Sequence, residues 1–176
     1  ENISVEVLDQ ELCPRYLGHY IYDVQNIETP LWMKRRLIAV GHNAISAMVD
    51  ITNYVLVEMG QPMHAFDLST LEGSSIVVRR AEDGEQLVTL DEKNRVLNHN
   101  NLLICDKVKA VGLAGVMGGL NSEIKDTTTE VVFEAAKFLK DNVRKTSRGL
   151  GLRSDAAARF EKGIDEHTVE CGMARA

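Results

Sequence analysis

Cysteine is scarce and unpatterned in this sequence: Cys13, Cys105 and Cys171 are the only three, an odd number with no C-x-x-C spacing. That argues against a disulfide framework or a zinc knuckle and favours a reducing compartment, with the cytoplasm as the default. An excess of positive charge is also missing, since 20 Lys and Arg stand against 26 Asp and Glu for a formal net charge of -6. A protein that coats nucleic acid needs clustered cations, so that class is excluded, whereas gripping one end of an RNA is not. No long apolar run is present. The longest, Ala110 to Leu120, is broken by Gly112, Gly115, Gly118 and Gly119 and falls well short of the ~20 residues of a membrane span. No signal peptide is visible. Nor is there a G-x-S-x-G elbow, a Ser-His-Asp order, a G-x-G-x-x-G turn or a phosphate loop ending in Gly-Lys-Ser/Thr.

What is present is average globular composition, 44% hydrophobic and 26% charged over 176 residues. That is enough for one domain, or two small subdomains sharing a core, to fold alone. The start at Glu1 falls mid-pattern and the end falls inside a helix-like run from Thr168 to Ala176, so we expect a piece of a longer chain.

Period-two alternation in Ile3–Leu8 and from Tyr16 through Val24 predicts two opening strands. Thr29-Pro30 predicts a helix N-terminus with Thr29 as cap and Pro30 at the first helical position, ending at Gly41. A second helix is expected from about Ser46 to Glu58, stopped by Gly60. Short apolar runs then predict strands at Ile76–Arg79, Gln86–Leu90, Leu102–Cys105 and Val131–Phe133. Helix returns at Asn142–Arg148, from a Ser154-Asp155 cap through Glu161, and from about Asp165. The resulting fold class is α+β: layered mixed sheets with helices packed on them, in two intimately packed subdomains.

Chemistry has few places to sit. Gly118 and Gly119 close a glycine-rich stretch that suits either a tight turn between strands or a close backbone approach to a ligand. His64 follows a turn at Pro62 and precedes Asp67; a lone histidine there most often hydrogen-bonds structurally, the alternative being orientation of a substrate or relay of a proton. Glu134 interrupts an apolar strand and shares a face with Val132, reading either as a solvated edge residue, the commoner case, or as the polar anchor of a pocket. Ser154 and Ala156 open a helix flanked by Arg153 and Arg159, which suits an anion site, a pocket wall or a plain capped helix.

Together, Val49-Asp50-Ile51-Thr52-Asn53-Tyr54-Val55, Glu58-Met59-Gly60-Gln61-Pro62-Met63-His64-Ala65-Phe66-Asp67, Leu113-Ala114-Gly115-Val116-Met117-Gly118-Gly119 and Leu150-Gly151-Leu152-Arg153-Ser154-Asp155-Ala156 closely resemble the central editing domain of the bacterial phenylalanyl-tRNA synthetase beta subunit. The likeness runs from about Cys13 to the end, so residues 1–176 are expected to form that domain within a longer chain. The resemblance implies a domain of a phenylalanine-tRNA ligase that hydrolyses tyrosine wrongly attached to tRNA(Phe) and binds the tRNA 3' end. The alternative is a non-catalytic RNA-binding and assembly module of the same synthetase. It further implies an alpha2beta2 heterotetramer in the cytoplasm, with no membrane or DNA partner. No cofactor and no metal are expected in this domain, ATP and Mg belonging with the alpha subunit, where aminoacylation takes place.

The resemblance also implies roles. Glu134 falls at the carboxylate that recognises the tyrosine hydroxyl, Gly118 at the glycine leaving room for the side chain, and Asn53 and His64 at polar groups lining the site. Ser154 and Ala156 fall at the wall near the amino acid. His64 is the candidate catalytic group, as general base or, the preferred expectation, by positioning. One departure stands out: relatives commonly carry Arg-Pro before the second helix, where this chain has Asn43-Ala44, which implies a weaker hold on the terminal adenosine or its phosphates.

Overall fold

The computed structural model describes residues 2–25 and 27–176; Glu1, where the sequence begins mid-pattern, and Asn26 lie outside the described residues. Strands β1 (Ser4–Val7) and β2 (Arg15–Ile21) form where the alternation predicts them. Helices α1 (Leu31–Ala39) and α2 (Ala47–Met59) follow, and Gly60 ends α2 in the left-handed conformation at φ 74°.

The start of α1 differs from expectation. Pro30 is the N-cap and Thr29 does not cap; its hydroxyl donates instead to Asp50 Oδ2 at 2.6 Å. Asp50 Oδ1 accepts from the Ile45 backbone N–H at 2.8 Å. A carboxylate fully removed from solvent needs such donors, and the two bonds tie both the segment before α1 and the loop between α1 and α2 to the first turn of α2.

The turn expected around His64 is also corrected. Residues Met63–Asp67 form strand β3, with Pro62 just ahead of it, where a missing backbone N–H removes no ladder bond. Then come β4 (Ser75–Arg80), β5 (Gln86–Val88), β6 (Asn94–Val96), β7 (Leu102–Cys105), β8 (Ala110–Leu113) and β9 (Met117–Gly118). The chain closes with β10 (Val131–Lys137), α3 (Lys140–Gly149), α4 (Asp155–Phe160) and α5 (Glu166–Arg175). Ser154 and Asp165 cap α4 and α5 through their side chains, as their sequence positions predict.

The strands make a five-stranded mixed sheet in the order β1-β4-β7-β8-β9, an antiparallel three-stranded sheet in the order β2-β10-β3, and the small hairpin β5-β6. Among the described residues only β1 and β4 run parallel. Strand β10 lies at the centre of its sheet and is buried on both faces, which explains its nearly unbroken apolar sequence. Val132 and Ala136 enter the large core shared with the five-stranded sheet, while Val131 and Phe133 pack with Ile51 of α2 and Met173 of α5. This is the layered α+β arrangement with helices on sheets. Among the described residues no helix is long and apolar enough to cross a membrane.

Candidate functional site

A cavity of about 260 Å³ opens where the two sheets and the start of α4 converge. It is close to the lower end of the roughly 300–1,000 Å³ usual for small-molecule sites. Asn53, His64, Gly118, Glu134, Ser154 and Ala156 all line it. Residues spread over a hundred positions of sequence are therefore brought to one place, by α2, β3, β9, β10 and α4 in turn.

Pairing of β10 with β3 sets Glu134 opposite His64, and pairing with β2 sets it opposite Gly18. Glu134 is only 8% exposed, so the commoner expectation of a solvated edge residue does not hold. The reason is topological, since β10 is a central strand. Its Oε2 accepts a hydrogen bond from the Tyr16 hydroxyl at 2.6 Å, and that bond is buried. Burial raises the Glu134 carboxyl from its ordinary 4.5 to about 7, with the Tyr16 bond pulling the other way. Tyr16 itself is pushed well above the usual tyrosine range by burial and by the neighbouring carboxylate.

His64 was expected most readily as a hydrogen-bonded residue of a buried turn; it lies on a strand and makes no such bond. Its Nε2 is the one sealed side-chain polar atom without a partner among the described residues. The carboxylate of Asp67, close in sequence, is taken by the Ser69 N–H and hydroxyl and by the Thr128 hydroxyl. The imidazole meets Phe66 edge-on, ring centres 4.5 Å apart, and burial lowers its pKa from 6.5 to about 4. The residue as a whole is half-buried and lines the cavity. At neutral pH it is uncharged.

The glycine-rich stretch resolves into the hairpin β8–β9. Val116 N–H donates to the Leu113 carbonyl at 3.0 Å, closing a turn in which Gly115 takes φ 69°. Gly118 is required for a different reason. A Cβ built there would lie 2.6 Å from His64 Nε2 and closer still to Cε1, so the imidazole rests directly on the glycine. Ser154 links this hairpin to α4, its hydroxyl donating to the Val116 carbonyl at 2.6 Å and accepting from Ala157 N–H at 3.1 Å. Asn53 lines the cavity and makes no side-chain hydrogen bond among the described residues. At the rim, His42 approaches Asp155 to 3.7 Å, and the neighbouring Asn43 is exposed.

The arrangement offers a small chamber with a buried carboxylate at one end, a neutral imidazole beside it and an amide on the wall. That combination can bind one polar group on an otherwise apolar body. Among the described residues no three His, Cys, Asp or Glu side chains converge as metal ligands do. Sequence reasoning passed over Tyr16, Phe66 and the His42–Asp155 pair. The face shared by Tyr16, Gly18 and Tyr20 under period two was the available signal for Tyr16, but nothing local tells which carboxylate it meets.

Residues 12–176 match the family model described as the B3/4 domain. The chain is 51% identical over 173 residues to the phenylalanine-tRNA ligase beta subunit of Syntrophus aciditrophicus (strain SB), covering 98% of this chain. It is 48% identical over 176 residues to the beta subunit of Geobacter sulfurreducens (strain ATCC 51573 / DSM 12127 / PCA), covering all of it. In both cases it spans only 22% of the relative's length. In structure it resembles an N-terminal fragment of the phenylalanyl-tRNA synthetase beta subunit from Pyrococcus horikoshii, with TM-score 0.56 and 12% identity over 86% of this chain and 50% of that one. That likeness speaks to the fold.

Proposed function

Because this chain belongs to the B3/4 domain family, we propose that its cavity is an editing site of a phenylalanine-tRNA ligase beta subunit, hydrolysing tyrosine esterified to tRNA(Phe). The observation that carries the reading is Glu134, a buried carboxylate with one oxygen already bonded to a phenol, in a chamber of about 260 Å³. A site built around such an acceptor favours tyrosine over phenylalanine, whose ring leaves the acceptor unpaired; sites of this kind discriminate by about 10⁴–10⁵.

In the reaction a water oxygen forms a bond to the ester carbonyl carbon, the bond from that carbon to the ribose oxygen breaks, and the departing ribose oxygen takes up a proton. His64, neutral and with Nε2 sealed against Gly118, is a weak proton acceptor in this position. Its part is to fix the orientation of the ester and the water, together with Asn53, while Gly118 keeps space and Ser154 and Ala156 form the wall. Partners on this reading are tRNA(Phe) and an alpha subunit in an alpha2beta2 cytoplasmic enzyme, with ATP and Mg²⁺ acting in the alpha subunit.

The exposed Asn43 beside His42 supports a second reading, a non-catalytic RNA-contacting and assembly module, since it puts no cation at the rim where phosphates would approach. One experiment separates the two. The intact synthetase is assayed for release of tyrosine from tyrosyl-tRNA(Phe), with phenylalanyl-tRNA(Phe) as control and Glu134→Ala as variant. Selective clearance that the variant loses supports editing; clearance of neither ester by an enzyme that still charges tRNA supports the module.

A further inference from the structure

The two oxygens of Glu134 are in different circumstances. Oε2 accepts from Tyr16 at 2.6 Å inside the core. Oε1 has no hydrogen-bond partner among the described residues, yet it is not sealed: the one sealed, unpartnered side-chain polar atom there is His64 Nε2. Since Glu134 lines the cavity, Oε1 is the oxygen open to it. We propose that Tyr16 is a positioning residue that commits one oxygen of Glu134 and leaves the other as a single acceptor for the hydroxyl of the substrate. This rests on the editing reading and deepens it by naming what sets the specificity of the site.

Among the described residues the surroundings make Tyr16 the sole candidate for this part. Gly18, opposite Glu134 on β2, offers no side chain to hold the carboxylate, and His64, opposite on β3, makes no hydrogen bond to it. Cys13 lies near on the β2 side; its thiol is pushed up to about 12 by burial and then by Glu134, so it is neutral. The other face of β10 is covered by α2 and α5 through apolar groups such as Ile51 and Met173. From the cavity, the remaining titratable groups are His42 and Asp155 at the rim. Tyr16 is the one neighbour that favours the ionised form of Glu134, against burial. A carboxylate accepts a phenolic hydrogen; a protonated carboxyl competes as a donor and loses that directionality. The phenol of Tyr16 thus both aims the group and keeps its accepting form available.

The test uses the intact synthetase and the ratio of tyrosyl- to phenylalanyl-tRNA(Phe) clearance, so that base hydrolysis common to both esters cancels. In the wild-type enzyme the ratio should rise with pH around 7. In Tyr16→Phe it should fall about ten- to a hundred-fold at neutral pH, the range set by losing a hydrogen bond to a charged group. Its pH midpoint should also move upward. In a Glu134→Gln background, Tyr16→Phe should change the ratio little further, because Tyr16 acts through Glu134. Fluorotyrosine at position 16 keeps the shape and donates more strongly, so it should move the midpoint downward; this arm stands even where the Phe variant fails to assemble. An unmoved midpoint in both variants, with the wild-type ratio retained, overturns the role of Tyr16 while leaving editing intact. If the wild-type enzyme clears neither ester, the editing reading and this inference fall together.

Discussion

Adding a single methyl group at Gly118 probes the tightest contact in the cavity. In Gly118→Ala the new Cβ would stand 2.6 Å from His64 Nε2, whereas non-bonded atoms rest at ~3.5 Å or more, so the ring must recede by about 1 Å. It has little room to do so. Phe66 stands edge-on at 4.5 Å, and Leu90 Cδ1 would lie 3.3 Å from the same methyl. Over-packing of this kind costs about 1–3 kcal/mol of stability, and a misplacement near 1 Å in a positioning group costs about 10²-fold in rate. We therefore expect clearance of tyrosyl-tRNA(Phe) by the intact enzyme to drop about a hundred-fold, with aminoacylation of tRNA(Phe) unchanged. Removing the ring in Gly118→Ala, His64→Ala relieves the clash: recovery would show that the misplaced imidazole obstructs the site and is not itself required, and persistent loss, matched by His64→Ala alone, would show that the imidazole is needed in place. Wild-type clearance by Gly118→Ala would refute the claim that His64 must rest on a bare backbone.

Two further predictions concern stability. Glu134 has its pKa raised to about 7 on folding, so the native state holds a proton the unfolded chain has released, and stability falls as pH rises from 4.5 towards 7; His64, lowered to about 4, has the opposite sign, and its contribution falls as pH drops from 6.5 towards 4. Each amounts to about 3 kcal/mol at most and the two offset between about pH 4.5 and 6.5, so Glu134→Gln should unmask a rise of stability with pH there and His64→Asn a fall, read by denaturant unfolding across pH 4–8; curves parallel to wild type in either variant would sink the assignment. Ser154→Ala loses both the cap on Ala157 and the bond to Val116, and should cost about 1–2 kcal/mol, with faster amide exchange at Ala157 as the local sign.

Local signals in this sequence were read correctly where the structure is decided locally. Gly60 ends α2, Ser154 caps α4 and Asp165 caps α5, each through a few neighbouring backbone groups. The same reasoning failed at Thr29, whose hydroxyl had a better acceptor in Asp50, a helix away. It failed at β3, where Pro62 was read as part of a turn although a proline at a strand start is compatible with pairing. The short β6 went unseen because its pairing with β5, which sets Leu87 against Arg95, supplies what its own sequence lacks.

The sequence alone determined which residue types the cavity has to work with, and its resemblance to a known family gathered Asn53, His64, Gly118, Glu134, Ser154 and Ala156 as one group. Their states come from how the strands and helices pack around them. Glu134 became a buried acid because β10 is the middle strand of its sheet, and it acquired a phenol for a partner from a residue 118 positions away. His64 Nε2 has no hydrogen-bond partner among the described residues, and the ring loses its charge on burial, because β3 turns it onto Gly118. Protonation and orientation depend on what surrounds a group in space, and no stretch of neighbouring residues encodes that.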